Sequence, residues 1–245
     1  MKAMIFAAGL GTRLKPITDT MPKALVPVCG QPLLYHVITK LVAAGYDDLV
    51  VNVHHFPDQI IHYLHSHDFG ARIAVSDERD FLRETGGGIR FAAPLLTGEP
   101  FLVHNVDIVS NLDLGWLREQ HREGAMATLV VSERKTQRYF LFDEDNRLKG
   151  WTNLATGEVR SPFPGIVPDR CRKLAFAGIH LISPAIFEAF DRYGFGDRFS
   201  IVDFYLRACA DYPIYAAVPP GFTLVDVGKK ETLSEAERVC EAILR

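Results

Sequence analysis

The residues best suited to chemistry lie near the amino terminus, in Ala7-Ala8-Gly9-Leu10-Gly11-Thr12-Arg13-Leu14-Lys15-Pro16, closed by Pro22-Lys23. Glycine lets a backbone approach a ligand and adopt positive φ. Consecutive N–H groups can then turn inward as an anion-binding nest. Arg13 and Lys23 add fixed charge, and arginine's fork of donors matches phosphate oxygens. The implied chemistry is phosphate binding. Two familiar phosphate motifs do not fit. No Gly-Lys-Ser/Thr occurs, and Leu14 stands where a dinucleotide fingerprint needs its last glycine. An ordinary glycine-rich strand-to-helix turn is the competing reading of these residues taken alone.

Two acids could join this loop. Asp107 follows the apolar run 101–104, and Asp226 lies inside Leu224-Val225-Asp226-Val227. An acid inside such a run is costly unless it is paired or bound to a cation. Two carboxylates beside phosphates suit Mg²⁺, which takes a few carboxylates together with phosphate oxygens and water. Alternatively, Asp107 caps a turn or helix and Asp226 pairs with a buried arginine. His54, His55, His62, His65 and His67 crowd one stretch. With no acidic or cysteine partner at ligand spacing, they read as surface or hydrogen-bonded residues rather than a zinc site.

The elements that must position these groups follow from periodicity. Ala3-Met4-Ile5-Phe6-Ala7 is a buried strand feeding the loop. Helices are expected over 32–44, 57–67, 114–123, 184–190, 201–210 and 233–244, with Gly45 stopping the first. Thr232 and Glu235 pattern a capping box for the last helix. Further strands are expected over 49–53, 71–76, 101–104, 127–132, 174–182 and 223–227. The alternation predicts an α/β fold with a mostly parallel sheet covered on both faces and ligands at the strands' carboxyl ends. From Arg134 the character changes. Short strand-like pieces at 139–142 and 147–151, then a Pro/Gly stretch at 157–168, read as an irregular insertion. Phe101, Phe140, Phe142 and Phe176 read as core or pocket-wall aromatics.

Bulk properties narrow the class. A chain of 245 residues with 48% hydrophobic and 23% charged residues is ordinary for a globular protein. It is long enough for one large α/β domain or two small ones. A net charge of −3 argues against nucleic acid as partner. Cys29, Cys171, Cys209 and Cys240 are widely spaced with no C-x-x-C pair, which reads as free thiols in a reducing compartment. Without a leader pattern or a long apolar span, the expectation is a cytoplasmic protein with no membrane partner.

Gly9-Leu10-Gly11-Thr12-Arg13-Leu14, Pro16-Ile17-Thr18, Pro22-Lys23-Ala24-Leu25-Val26-Pro27-Val28 and Gly30-Gln31-Pro32-Leu33-Leu34 together resemble the signature of the sugar-1-phosphate nucleotidylyltransferases. The resemblance continues in order through Glu84-Thr85-Gly86-Gly87-Gly88-Ile89, Asn105-Val106-Asp107, Phe176-Ala177-Gly178-Ile179 and Val225-Asp226-Val227-Gly228. Among members, the Glu-Thr-Gly-Gly-Gly segment is most similar to short N-acetylmuramate-1-phosphate uridylyltransferases. Mannose- and heptose-1-phosphate guanylyltransferases come next.

The resemblance implies a Rossmann-like three-layer sandwich with a small insertion near the sugar site, the irregular stretch from Arg134, in a single domain over 1–245. Residues 1–133 would form the nucleotide-binding part, and 134–245 the sugar-binding part with the C-terminal helix. It implies nucleotidyl transfer from a nucleoside triphosphate to a sugar-1-phosphate by a monomer or homodimer. Arg13, Lys23, Asp107 and Asp226 would be catalytic, with Mg²⁺ held by the two aspartates. Ala8, Gly9, Gly11, Thr12, Arg13, Lys23, Thr85, Gly86, Gly87 and Asn105 would contact the nucleotide, the glycines of 86–88 offering backbone groups to the base edge. Tyr139 and Gly178 would contact the sugar. Departures are Val106 where the family usually has glycine, Arg138-Tyr139-Phe140 in place of Gly-Asp-Phe, and no Glu-Lys-Pro. Lys229 reads as a solvated helix-start lysine, with an extra phosphate contact as the alternative. The rival readings are a non-catalytic nucleotide-sugar sensor and a dinucleotide oxidoreductase, the latter disfavoured by the failed fingerprint.

Overall fold

The computed structural model describes residues 1–228 and 232–244, so Lys229 lies outside the described residues. The strands are β1 (Lys2–Phe6), β2 (Pro27–Val28), β3 (Gln31–Pro32), β4 (Asp48–Val53), β5 (Arg72–Asp77), β6 (Phe101–Asn105), β7 (Ile108–Ser110), β8 (Ala127–Ser132), β9 (Arg138–Phe142), β10 (Leu148–Asn153), β11 (Glu158–Arg160), β12 (Arg172–Ile182), β13 (Ile214–Ala217) and β14 (Leu224–Asp226). The helices are α1 (Leu33–Ala43), α2 (Pro57–His65), α3 (Glu84–Phe91), α4 (Ala93–Leu96), α5 (Leu114–Glu119), α6 (Ile186–Arg192), α7 (Ile201–Ala208) and α8 (Leu233–Leu244).

β1 pairs in parallel with β4 and β6, and β4 with β5. β12 is antiparallel to both β6 and β8, so β8 and its parallel partner β13 regain the direction of β1. The central sheet is therefore mostly parallel, with β12 as its reversed strand. Side chains alternate between two cores, as the period of a strand requires. Ala3, Ile5 and Leu102 face the core with α1, α2, α5 and α8. Met4, Phe101 and Val103 face the core with α3, α6 and α7. This gives the expected Rossmann-like three-layer sandwich.

Three regions differ from expectation in detail. The insertion is more regular than it reads: β9, β10 and β11 extend the main sheet antiparallel, joined through Leu174 of β12 opposite Phe140. Its outermost strand, β11, is short and largely exposed, so no burial pattern marks it. The 84–88 segment opens α3, although glycine is a poor helix former. β13 was not anticipated. It is a short apolar piece that lines up beside β8 only through the tertiary fold.

β14 also leaves the main sheet. It forms a separate ribbon with β7, placing Asp226 opposite Ile108. The turn from β6 to β7 therefore meets the chain's late strand.

Candidate active site

A cleft of about 550 Å³ opens at the carboxyl ends of β1, β4, β5 and β6. The loop after β1 forms one wall. Its start is pinned from below: Asn52, fully inside the strand layer, accepts from Ala7 N–H at 2.8 Å and Ala8 N–H at 3.3 Å. Asn52 Nδ2 donates to Glu78 Oε1 at 2.8 Å. Burial pushes the Glu78 carboxyl up, against the hydrogen bonds from Asn52 and the Arg83 backbone. Gly11 then turns the chain at φ 62, accepting from Leu14 N–H and from Thr18 Oγ1, each at 2.8 Å. A Cβ at Gly11 would lie 2.8 Å from Thr18 Cγ2. At Gly9 it would meet nothing within 4 Å.

The acids meet at the cleft's far side. Lys23 Nζ, nearly buried, forms an ion pair with Asp107 Oδ2. Val227 N–H donates to Asp107 O at 2.8 Å, fastening the β14 strand end beside it. Asp226 Oδ1 is buried with no hydrogen-bond partner. Burial and the Asp107 charge raise the Asp226 carboxyl above its ordinary value, while Lys23, Arg13 and Arg134 pull it down. Gly228 leaves the space between the groups: a Cβ there would lie 2.6 Å from Arg13 Nη2 and 2.7 Å from Asp226 Oδ1. Arg13, Lys23, Asp107 and Asp226 thus gather around one spot, although the acids stand more than a hundred residues apart in sequence.

The glycines of α3 correct one expectation. Gly86 and Gly87 both donate their N–H groups to Phe199 O, at 2.9 and 3.2 Å, so these donors are not offered to a base. Their missing side chains serve packing. A Cβ at Gly86 would lie 2.2 Å from the Phe199 ring, and one at Gly87 2.3 Å from Asp197 O. Gly88 makes room for Glu78 Oε1 and Asn52 Nδ2. Glu84 and Thr85 line the cleft instead, Glu84 with φ 61 and Thr85 accepting from Ile201 N–H through Oγ1.

Asn105 lines the cleft, braced by Gly178, where β12 bulges at φ 73 and a Cβ would lie 2.5 Å from Asn105 Nδ2. Gly178 and Tyr139 do not form its wall. Tyr139 OH accepts from Thr136 N–H. His54 and His55 hydrogen-bond through their rings to Glu78 O and Thr18 O, bracing the cleft from outside. Sequence reasoning missed Asn52, Glu78 and Arg134. An amide interrupting Leu49-Val50-Val51-Asn52-Val53 was the available signal for the first. Arg134, donating to Phe176 O at 2.9 Å, offered none before the sheet order was known.

No cluster of three or more metal-ligating side chains occurs among the described residues. The two carboxylates nonetheless fit a hard cation that draws its remaining ligands from phosphate and water. Asp226 Oδ1 lacks a partner, and Asp107 already faces a cation.

Residues 2–146 match the family model described as nucleotidyl transferase. The chain is 32% identical, over 98% of its length and 97% of the relative's, to an N-acetylmuramate alpha-1-phosphate uridylyltransferase of Caulobacter vibrioides. It is 30% identical, over 94% of its length, to a probable mannose-1-phosphate guanylyltransferase of Oryza sativa, of which it spans 62%. The fold is shared with HddC from Yersinia pseudotuberculosis complexed with GMP-PN (TM-score 0.76, 21% identity, 97% of this chain and 98% of that one). It is also shared with a UDP-glucose pyrophosphorylase complexed with UDP-glucose (TM-score 0.77, 18% identity, 98% of each chain). The family model and the full-length relative establish that the chain belongs to the nucleotidyl transferase family, as a sugar-1-phosphate nucleotidylyltransferase.

Proposed function

We propose that this chain transfers a uridylyl group from UTP to N-acetylmuramate-1-phosphate or a closely similar sugar phosphate, releasing pyrophosphate. The observation that carries the chemistry is the convergence of Arg13, Lys23, Asp107 and Asp226 at the glycine loop. The choice of uridylyl transfer rests on the full-length likeness to the Caulobacter relative. The lower likeness to the rice guanylyltransferase supports mannose- or heptose-1-phosphate with GTP as the second reading.

A sugar-phosphate oxygen attacks the α-phosphorus of the triphosphate. No general base is required, because a phosphate monoester with second pKa near 6 is already largely a dianion at neutral pH. The protein aligns and neutralises. Gly9 and the Thr12–Arg13 turn receive the triphosphate, and Arg13 stabilises the β,γ-phosphates as they depart. Lys23 holds the α-phosphate region. Asp107 and Asp226 would hold Mg²⁺, which when bound supplies charge neutralisation between the phosphates. Thr85 and Asn105 contact the nucleoside. Gly178 acts on the sugar side by placing Asn105, with Tyr139 on the neighbouring strand.

One continuous sheet running through residues on both sides of 133 supports a single nucleotidyltransferase unit over 1–245. We place the reaction in the cytoplasm, where nucleoside triphosphates are made, with a cell-wall sugar as its purpose. No helix among the described residues is long and apolar enough to cross a membrane.

A matrix of nucleoside triphosphates against sugar-1-phosphates, scored by product mass, tests the reading. UDP-N-acetylmuramate is the expected principal product. A GDP-sugar as the principal product replaces the substrate assignment, and no product from any pair leaves the nucleotide-sugar sensor. Asp107→Asn and Arg13→Ala each lower pyrophosphate release at saturation by at least ~10²-fold, the scale of losing an electrostatic stabiliser.

A further inference from the structure

Away from the cleft, two thiols distant in sequence converge. Cys29 forms the turn between β2 and β3, at φ 49, and its Sγ donates to Glu237 O of α8 at 3.2 Å. Cys240 lies one helical turn beyond Glu237, buried, with its Sγ 4.0 Å from His36 Nδ1. His36 Nε2 is 2.7 Å from Val28 O, the residue before Cys29. A carbonyl only accepts, so Nε2 carries the proton. In the neutral ring Nδ1 then presents its lone pair toward Cys240. Burial, and next the neighbouring Cys29 thiol, push the Cys240 thiol up to about 12. The other cysteines lack this arrangement. Cys171 lies among Asp143, Lys149 and Lys173, and Cys209 is in the apolar core on the opposite face of the sheet.

We propose that Cys29 and Cys240 form a reversible disulfide that staples the β2–β3 turn to α8, with His36 as proton acceptor for its closure. The oxidant is a low-molecular-weight disulfide. Half-exposed Cys29, as thiolate, attacks one of its sulfurs, forming a mixed disulfide and expelling one small thiolate. Cys240 gives its proton to His36 Nδ1, and its thiolate attacks the Cys29 sulfur and expels the second. The protein loses two electrons, the small disulfide gains them, and the two thiol protons end on the two released thiols. The staple joins the turn that follows Lys23 in sequence to the helix that follows Asp226. It closes a loop spanning most of the chain and acts chiefly by restricting the unfolded state.

The test uses the full chain with glutathione disulfide at neutral pH, peptide mapping by mass spectrometry without reductant, and thermal unfolding. The expected result is a Cys29–Cys240 cross-link, removed by dithiothreitol, with Tm higher by about 5 °C or more. C240S leaves a stable glutathione adduct on Cys29, and C29S leaves Cys240 unmodified. H36Q accumulates the mixed disulfide and slows closure by about tenfold or more. A wild-type adduct on Cys29 that never closes, a cross-link through Cys171, a cross-link without a rise in Tm, or no oxidation at all each overturns the proposal.

Discussion

Glycines stand on two sides of the cleft, in the loop after β1 and in the first turn of α3, and their surroundings are opposite. At Gly9 the space a side chain would fill is empty. At Gly86 and Gly87 it is already taken by the Phe199 ring and the Asp197 carbonyl, and the N–H groups are spent on Phe199 O. The first glycine is not demanded by the fold, so its smallness is available to a ligand. The others let α3 seat against the 197–200 segment, so that Glu84 and Thr85 reach the cleft. A run of glycines in a sequence therefore carries two different messages, and only the neighbours distinguish them.

The comparison is broken most sharply at Gly86. Phe199 cannot retreat freely, because its ring packs 5.0 Å from Phe190 and 4.5 Å from Phe195, centroid to centroid. Gly86→Ala overpacks this site and costs about 3 kcal/mol, the upper end for such insertions. Thermal unfolding is expected to show Tm lower by about 6–12 °C. An unchanged Tm would mean that α3 does not depend on the missing side chain.

Asn52 sits between the two regions and belongs partly to each. Asn52→Ala leaves the Ala7 and Ala8 N–H groups without an acceptor and Glu78 Oε1 without its amide donor. Unsatisfied buried groups cost about 1–3 kcal/mol. The expected outcome is a moderate fall in Tm together with a higher KM for the triphosphate, because the loop's entry is no longer fixed. A fall in Tm with KM unchanged would confine Asn52 to the fold.

The loop was legible in the sequence because its message is local: a strand, then glycines, then Arg13. The strands β1, β4, β6 and β8 were legible for the same reason, as apolar runs beside turn residues. Asp226 read as suspicious because it is an acid among apolar residues, but only the family resemblance, and no local pattern, pointed to Asp107 as its neighbour. That pairing depends on β14 crossing to β7 rather than joining the main sheet. The α3 helix was hidden because three glycines argue against a helix, and only contacts from Phe199 and Asp197 override that preference. β9 and β10 were legible as short strand-like pieces, whereas β11, short and largely exposed at the sheet edge, carried no burial pattern. For Asp226 and α3, the deciding interaction comes from a partner distant in the chain.

Asp226 gives a smaller effect on the fold, with a sign that depends on pH. Its folded carboxyl is raised by burial, whereas unfolded it titrates near 3.9. As pH rises past that value, the unfolded chain releases the proton more readily than the folded one, so the ionised residue costs stability. Asp226→Asn removes the cost. Its Tm is expected to exceed that of the wild type at pH 7 by a few degrees, with the gain disappearing near pH 3. Adding Mg²⁺ raises the wild-type Tm and not the variant's, while turnover falls by about 10²-fold or more. A variant less stable than wild type at pH 7 without Mg²⁺ would show that Asp226 is satisfied within the folded protein.

The smallest effect on stability falls where the comparison is cleanest. Gly9 has ordinary backbone geometry, since its φ is not among the positive values, and an added methyl meets no protein atom within 4 Å. Gly9→Ala removes some freedom from the unfolded chain, which stabilises slightly, by about 0.4–1 kcal/mol where the native conformation suits alanine. The folded protein is thus expected to be as stable as wild type or slightly more so. The methyl group instead occupies the cleft, where phosphate must come close to the backbone, so KM for the triphosphate rises several-fold. Thermal unfolding and steady-state kinetics on one preparation separate the two effects. If KM is unchanged, the open space at Gly9 is not where the nucleotide lies. The close-approach argument then moves to Gly11 and the Arg13 turn, where glycine supplies both positive φ and room beside Thr18.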